Sequence, residues 1–431
     1  MTYAESVAYL YSLQKHGIKL GLETMTALVS RLDMPQIRYP TLHIAGTNGK
    51  GSTAAMTAAI LQAAGYRVGL YTSPHLIEFR ERIRVNGEMI AEAAVARLTE
   101  QLRALCQPDL SPTFFECTTA MAFQHFADAK VDIAVMEVGL GGRFDATNMV
   151  IPLACTITTI ALDHQEYLGT TLSSVAFEKA GIIKPQVPVI VGRVPGEAFH
   201  TIERVALEGG ASLRRLGREF RVRGWTPECF SFTGSTLQVD DLHCTLQGLH
   251  QIDNAACALA LLESAASGGV AITEKAVREG LSNVRWEGRI EIVDREPMVV
   301  LDGAHNPAAA AALAEYLCAS RLSRPGRRII LVLGMMRDKD HRGFVEPLND
   351  LVDEVVLTQA DLPRSATAQE LRAKIGDCWP HAFVKEVLSD ALAQARGLAG
   401  ADDLICITGS LMLIGDVKAL FRGCELSPIR G

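Results

Sequence analysis

A glycine-rich segment near the start of the chain constrains the fold more than any other feature. An apolar run at residues 42–45 leads into this segment, and an alanine-rich helical pattern at residues 53–64 follows it. Between them lie three glycines and Lys50. A glycine-rich loop at the point where a strand passes into a helix is typical of a phosphate-binding loop in an α/β protein.

The residue types in this loop supply every group that phosphate binding needs. Glycines let backbone N–H groups turn inward, the helix N-terminus carries about half a positive charge, a lysine reaches the outer phosphates and a hydroxyl binds magnesium. The predicted nucleotide-binding residues of the loop are Gly46, Thr47, Asn48, Gly49, Lys50, Gly51, Ser52 and Thr53. The strict pattern has Ser or Thr directly after the lysine, whereas Gly51 intervenes here. This variant resembles the loop of the ATP-dependent amide ligases, which include the Mur ligases and folylpolyglutamate synthases.

Length and charge limit the class of protein. A chain of 431 residues is long for one core, and at ~100–200 residues per domain it predicts two domains. The charge sum is 42 basic minus 49 acidic residues, or −7, and no long basic run is present. Nucleic acid or an anionic membrane is therefore not expected as the main partner.

Cysteine usage and the N-terminus indicate a compartment. The ten cysteines include no Cys-x-x-Cys pair and no Cys/His cluster at zinc spacing, which argues against a disulfide framework or a structural metal. The chain starts without a basic region ahead of an apolar stretch, and no window approaches the ~20 apolar residues of a membrane span. We expect a soluble, unprocessed, cytoplasmic enzyme.

Polar residues follow three predicted strands of one sheet. The strand at residues 66–71 leads to Ser73, the apolar run at 131–136 ends at Glu137, and the strand at 153–160 leads to Asp163 and His164. Because carboxyl ends of parallel strands meet at one edge of a sheet, these groups are expected to converge there. Glu137 is the first Mg²⁺ candidate, and its alternative is a capping or loop carboxylate.

Three other interpretations stay open on the residues alone. Lys179, near the end of a predicted helix at residues 172–180, either complements the helix dipole or belongs to the site. Asn254, ahead of an apolar helix at 255–264, is either an N-cap or an amide that contacts adenine. The arginines at residues 77–86 either lie on a solvated face or bind substrate carboxylates.

The pattern changes near residues 283–287. Two amphipathic helices at residues 3–15 and 22–32 form a predicted N-terminal cap on the first domain, whereas a new alternation of strands and helices begins after residue 287. The predicted fold is α/β: a mostly parallel sheet domain containing the phosphate-binding P-loop with a helical cap, followed by a smaller C-terminal Rossmann-like α/β domain. Residues 1–286 and 287–431 are the predicted domains.

Over nearly its whole length the chain resembles the folylpolyglutamate synthases, in particular the bacterial type that is also a dihydrofolate synthase. No single motif is decisive, but the set in this order is highly specific. The segments that carry the resemblance are residues 17–23, 46–53, 71–76, 114–119, 137–148, 163–164, 178–184, 250–254, 286–291, 302–307 and 408–411.

The resemblance implies roles for particular residues. One Mg²⁺ would be held by Ser52, Ser73 and Glu137, and a second by Glu137, His164 and Lys179, with Lys179 carbamylated. The implied catalytic residues are Lys50, Glu137, His164 and Lys179. The implied nucleotide contacts outside the loop are Asn254, Arg289, Asp302 and His305. Thr118 and Asp145 would face the pterin, and residues 287–431 would form the glutamate ligase domain.

The implied reaction joins L-glutamate to a carboxylic acid at the expense of ATP. The acid would be dihydropteroate, the γ-carboxyl of a reduced folate, or both, and a monomer is expected. ATP would first convert the carboxylate to an acyl phosphate, which the amino group of glutamate then attacks. One alternative is a Mur-type ligase acting on another acid, but only about 40 residues precede Gly46, fewer than a domain needs. The other is a P-loop ATPase or switch without ligase chemistry, which leaves residues 302–307 unexplained.

Overall fold

The computed structural model describes residues 1–17, 21–106 and 110–427, which form two compact units. The first consists of Met1–His75, Phe79–Thr245 and Ile252–Val284, and the second of Leu76–Glu78, Leu246–Gln251 and Arg285 onwards. Part of the predicted connection between the first two helices, residues 18–20, lies outside the described residues.

An eight-stranded sheet is the centre of the first unit. Its strands are β1 (Thr41–Ala45), β2 (Val68–Tyr71), β3 (Ile83–Val85), β4 (Glu88–Met89), β5 (Ile133–Glu137), β6 (Ala154–Ile157), β7 (Val189–Val191) and β8 (Leu213–Arg215). Their spatial order is β4-β3-β2-β5-β1-β6-β7-β8, with every pairing from β2 to β8 parallel and the β2-β3-β4 pairings antiparallel. Strands β1 and β5 are buried at every residue, as their continuous apolar sequences predict.

Helices cover both faces of this sheet. They are α1 (Tyr3–Ser12), α2 (Glu23–Arg31), α3 (Lys50–Ala63), α4 (Glu92–Leu105), α5 (Phe114–Asp128), α6 (Gln165–Leu168), α7 (Leu172–Ala180), α8 (Gly196–Glu208), α9 (His250–Ala265) and α10 (Glu274–Asn283). One apolar core joins α1, α2, α4 and α5 to β2 and β5, and a second joins α7 and α8 to β6 and β7. Register pairing places both cores on one face of the sheet, because Met136 of the first core and Cys155 of the second are both partners of His43. Helix α3, which belongs to neither core, packs against β1, β2 and β5 on the other face and completes a three-layer unit.

A three-stranded antiparallel sheet follows α8. It contains β9 (Arg221–Thr226), β10 (Cys229–Thr233) and β11 (Gln238–Leu242) in the order β11-β10-β9. Consecutive strands pair antiparallel, so this part of the chain is a meander.

The second unit is a smaller α/β layer structure. Its strands are β12 (Glu291–Arg295), β13 (Met298–Leu301), β14 (Ile329–Leu333), β15 (Glu354–Leu357), β16 (Phe383–Val384) and β17 (Leu404–Thr408). Its helices are α11 (Pro307–Ser323), α12 (His341–Val345), α13 (Ala368–Ile375), α14 (Leu388–Leu398) and α15 (Leu411–Arg422). The strand order is β12-β13-β17-β14-β15-β16, parallel throughout except for the β12-β13 pair. The two mostly parallel sheets confirm the predicted fold class.

Among the residues that the structure describes, no helix combines the length and the apolar character that crossing a membrane requires.

Candidate functional site

The predicted phosphate loop connects β1 to α3. Gly49 occupies the N-cap of α3 with φ +85°, a left-handed conformation that favours glycine. A Cβ atom at Gly49 would collide with the side-chain oxygen of Asn254, and one at Gly46 would collide with the hydroxyl of Thr158. Both glycines are therefore required by conformation and by close neighbours.

The loop is held by residues that follow β6. The Thr47 N–H donates to the carbonyl of Thr159 at 2.8 Å, and the Asn48 N–H donates to the Thr159 hydroxyl at 2.9 Å. The Thr158 hydroxyl donates to the Asn48 carbonyl at 2.6 Å. These intramolecular bonds fix the loop conformation, which lowers the ordering cost of binding a ligand.

Lys50 begins α3 and its side chain folds back over the loop. Its ammonium group donates to the carbonyls of Gly46 and Thr47, at 3.0 Å each. The first bond of the helical ladder runs from Thr53 N–H to the Gly49 carbonyl, at 2.9 Å. The amides of the first turn lie ahead of that bond, where an α-helix has no internal acceptors and can receive an anion.

Glu137 and Ser73 lie together at the carboxyl ends of two adjacent parallel strands, β5 and β2. The backbone N–H of Ser73 donates to a carboxylate oxygen of Glu137 at 3.1 Å. Glu137 is only 4% exposed, and Ile44 of β1 is its register partner. The structure thus places this buried carboxylate beside the strand that leads into the phosphate loop. Ser52, the third member of the predicted first metal site, is buried in the first turn of α3.

Lys179 is not an ordinary surface lysine at a helix end. It is 4% exposed, and its amine donates to the Gly46 carbonyl at 3.0 Å, so that carbonyl accepts from both Lys179 and Lys50. Burial, followed by the positive charge of Lys50, lowers the pKa of Lys179 to about 7, against the opposing influence of Asp163 and Asp145.

His164 has a more open position. It is the N-cap of the short helix α6, with φ +50°, and its side chain is 40% exposed. Its Nε2 lies 4.0 Å from a carboxylate oxygen of Asp163. Within the described parts of the chain, no three His, Cys, Asp or Glu residues are grouped so as to hold a metal. The second metal site therefore remains a prediction.

The two residues predicted to face the pterin are both buried. The Thr118 hydroxyl lies 3.2 Å from the Tyr71 hydroxyl and donates to the Phe115 carbonyl at 3.0 Å. Asp145 accepts hydrogen bonds on both carboxylate oxygens from groups of its own loop, which are the amides of Gly139, Leu140 and Thr147 and the Thr147 hydroxyl. Burial raises the pKa of Asp145 despite these donors. Pterin contact by either residue stays a prediction.

Asn254 corrects one sequence interpretation. It is the fifth residue of α9, which begins at His250, so Asn254 is not an N-cap. The apolar pattern begins at residue 255, whereas the helix begins at His250 and has polar residues in its first turn. Asn254 instead packs against Gly49 of the phosphate loop.

Three predicted nucleotide residues belong to the second unit. Asp302, after β13, accepts from the amides of Ile290 and Ala304, at 2.9 Å each. The Arg289 guanidinium packs against Gly303, and Nδ1 of His305 donates to the Gly303 carbonyl at 2.9 Å. These contacts order the segment between β13 and α11.

Sequence reasoning missed two sets of residues at this sheet edge. Thr158 and Thr159 are not among the predicted site residues, although polar residues at the end of an apolar strand are a signal for them. The sequence does not distinguish Arg82 from the other arginines of residues 77–86, yet Arg82 is 2% exposed. Nothing in a local pattern distinguishes a buried arginine from its solvated neighbours.

Two family models match the chain. The Mur ligase middle domain matches residues 44–262, and the glutamate ligase domain of the Mur ligases matches residues 288–411. The class defined by this fold and loop is thus the Mur ligases, which are ATP-dependent.

Relatives narrow the class further. The chain is 36% identical to the dihydrofolate synthase/folylpolyglutamate synthase of Bacillus subtilis, covering 96% of this chain and 98% of the relative. Its fold matches the structure of Escherichia coli FolC in complex with DHPP and ADP, with TM-score 0.90, 35% identity and 98% of each chain covered. It also matches the Yersinia pestis bifunctional enzyme complexed with AMPPNP and Mn ion, with TM-score 0.89, 34% identity and 98% of each chain covered. The chain belongs to the folylpolyglutamate synthase and dihydrofolate synthase family and is an ATP-dependent ligase.

Proposed function

We propose that this ligase joins L-glutamate to dihydropteroate, to the γ-carboxyl of reduced folates, or to both, through an acyl phosphate. The observation that carries the proposal is the meeting of the phosphate loop, Ser73 and Glu137 at one edge of a parallel sheet. Ligands bind at this edge in open α/β sheets. The family membership and the complexes of its relatives with ADP, AMPPNP and DHPP support the same assignment.

A carboxylate resists attack by an amine because its leaving group would be oxide. In the proposed reaction, a carboxylate oxygen attacks the γ-phosphorus of ATP, and the bond to the bridging oxygen breaks with its electrons leaving on ADP. The glutamate amine then attacks the acyl carbon, loses a proton and displaces phosphate, giving an amide.

Lys50 is proposed to compensate charge on the transferring phosphoryl group. Its ammonium exchanges the carbonyls of Gly46 and Thr47 for phosphate oxygens, while the first-turn amides of α3 hold the remaining phosphates. Thr158 and Thr159 keep the loop in place during this exchange.

The residues present fit a magnesium ion. Ser52, Ser73 and Glu137 offer oxygen donors only, which Mg²⁺ prefers, and the buried Glu137 carboxylate accepts from the backbone amide of Ser73. These three residues would hold one ion, which when bound neutralises phosphate charge. Glu137, His164 and Lys179 are proposed for a second ion, with Lys179 as a carbamate that contributes an oxygen ligand.

The remaining site residues are proposed to bind the substrates. Asn254, which packs against Gly49, and the second-unit residues Arg289, Asp302 and His305 would contact the nucleotide. Thr118 and Asp145 would position the acceptor acid. The glutamate ligase domain is proposed to supply the site for incoming glutamate.

A two-substrate assay tests the proposal. Purified protein receives ATP, Mg²⁺ and L-glutamate, with dihydropteroate in one reaction and a reduced monoglutamyl folate in the other. ADP release that requires both glutamate and a pteroyl acceptor, with a glutamylated product by mass spectrometry, is the expected result. ATP hydrolysis that is indifferent to both would support an ATPase without ligase chemistry instead.

A further inference from the structure

A buried arginine lies in the first unit beside the segment that carries Ser73. Arg82 ends a short 3₁₀ turn, Phe79–Arg82, and is 2% exposed. Its backbone carbonyl accepts the Thr72 N–H at 3.0 Å, which ties Arg82 to the residue preceding Ser73. The side chain therefore starts at the edge of the sheet where the phosphate loop and Glu137 also lie.

The direct contacts of the guanidinium are neutral groups. Its Nε donates to Nδ1 of His75 at 2.8 Å, and an arginine nitrogen can only donate. Nδ1 of His75 is therefore unprotonated, the imidazole is neutral, and its proton lies on Nε2, 3.3 Å from the Tyr11 hydroxyl. The Phe114 ring covers one face of the guanidinium, with its centroid 5.1 Å from Cζ.

This arrangement leaves a buried positive charge without an ion pair. Among residues 1–17, 21–106 and 110–427, no carboxylate forms a salt bridge with Arg82, and Nδ1 of His75 is the acceptor that its side chain contacts. Burial lowers the pKa of Arg82, yet a guanidinium stays charged at any physiological pH. Buried charges are costly unless they are paired, so the edge of the guanidinium formed by its two terminal nitrogens suits an anion that the protein does not supply.

The surroundings indicate which anion fits. Thr72, which donates to the Arg82 carbonyl, precedes Ser73, whose own amide donates to Glu137. Phe114, whose ring covers the guanidinium, begins α5, the helix that carries Thr118. Arg82 is thus linked to the segment proposed to hold the metal and packs on the helix proposed to contact the acceptor. The anion expected beside both is the reacting carboxylate of the acceptor.

We propose that the Arg82 guanidinium binds the reacting carboxylate of the acceptor acid, with His75 and Phe114 as the groups that orient it. The proposal rests on the ligase function proposed above. Two parallel hydrogen bonds from the terminal nitrogens match the two oxygens of a carboxylate, a geometry that a lysine ammonium cannot reproduce. Arg82 would fix the acceptor before phosphorylation.

The test compares a charged with an uncharged acceptor. Binding of dihydropteroate and of its methyl ester is measured by calorimetry in the presence of ADP, for the wild type, Arg82→Gln, Arg82→Lys and Arg84→Gln. Arg84 is the matched control, because it is a nearby, half-buried arginine whose Nε donates to the Glu81 carbonyl. The wild type and Arg84→Gln are expected to prefer the acid by about tenfold to hundredfold, the range for a hydrogen-bonded charge.

Arg82→Gln is expected to lose this preference, so that acid and ester bind equally, and Arg82→Lys is expected to retain part of it. An equal loss of affinity for acid and ester would show that Arg82 only maintains the fold, and an unchanged preference would place the carboxylate elsewhere. Thermal unfolding identifies a variant that does not fold, in which case Arg82→Lys alone decides between these outcomes. Ligation by the wild type is measured in the same preparation, because its absence would refute the ligase function rather than this inference.

Discussion

Replacing Lys179 by methionine tests the electrostatics of the phosphate loop. Methionine has a similar length and no charge, and the Gly46 carbonyl keeps its hydrogen bond from Lys50 in the variant. The change therefore removes one buried amine without leaving that acceptor unsatisfied.

The magnitude follows from the pKa. Burial lowers the pKa of Lys179 from 10.5 to about 7. At ~1.4 kcal/mol per pH unit, this difference corresponds to about 5 kcal/mol. Between those two pH values the unfolded chain binds more protons than the folded chain, so the free energy of unfolding of the wild type rises with pH across this window. Below about pH 7 Lys179 is protonated in both the folded and the unfolded chain, and the buried charge destabilises the folded chain by the full amount.

We expect Lys179→Met to be more stable than the wild type by a few kcal/mol at pH 6. The advantage should shrink as the pH rises and largely disappear near pH 10.5. The assay is urea unfolding in CO₂-free buffers at several pH values, with Lys275→Met as a control because Lys275 is exposed. A difference between wild type and variant that does not change with pH would refute the reasoning.

Added bicarbonate extends the experiment. A carbamate forms from a neutral amine, and a pKa near 7 makes the neutral form of Lys179 abundant at physiological pH. Bicarbonate should therefore stabilise the wild type and add the mass of CO₂ to the native protein, and should do neither to Lys179→Met. If the wild type shows no added mass, Lys179 acts as an amine.

Three further substitutions probe the phosphate loop and the buried carboxylate Glu137. Lys50→Ala and Glu137→Ala should each lower the rate of ligation by ~10²–10³, because each variant loses one electrostatic partner of the phosphoryl group. The thermal unfolding midpoint should change little. Turnover near that of the wild type would show that the substituted residue is not part of the site. Gly49→Ala should weaken ADP binding in calorimetry, because its Cβ collides with Asn254 in addition to the strained φ, whereas Gly65→Ala has a comparable φ of +92° and no neighbour within 4 Å. Equal effects of the two glycine variants on ADP binding would contradict the role of the Asn254 contact.

Much of the sheet could be predicted from sequence because its strands are buried on both faces. The apolar run at residues 131–136, which ends at Glu137, forms β5, and the run at residues 42–45 forms most of β1. Such runs are continuous in the sequence, and the polar residue that ends each one marks the sheet edge. The short edge strands, such as Phe383–Val384, were missed because two residues give no recognisable period.

Side-chain environment could be predicted less well. The sequence left open whether Lys179 ends a helix in solvent, and only packing of α7 against the sheet buries it. The same holds for Arg82, whose neighbours Arg80 and Arg84 are half-buried. Burial of one charged residue in a polar run depends on contacts with distant segments, such as that between Arg82 and the Phe114 ring, which local periodicity does not encode.

The two lysines at Gly46 link stability to binding. Lys50 and Lys179 donate to the same carbonyl, and each positive charge disfavours the other, so the loop without nucleotide carries an electrostatic cost. A triphosphate or diphosphate brings negative charge to this place and makes protonation of Lys179 favourable again. Nucleotide binding in buffer free of CO₂ and Mg²⁺ near pH 8 should therefore take up a proton, which calorimetry in two buffers of different ionisation enthalpy measures. Lys179→Met should abolish that uptake, because the proton acceptor is then absent. The repulsion between the two lysines lowers the stability of the free protein, and bound phosphates remove that repulsion.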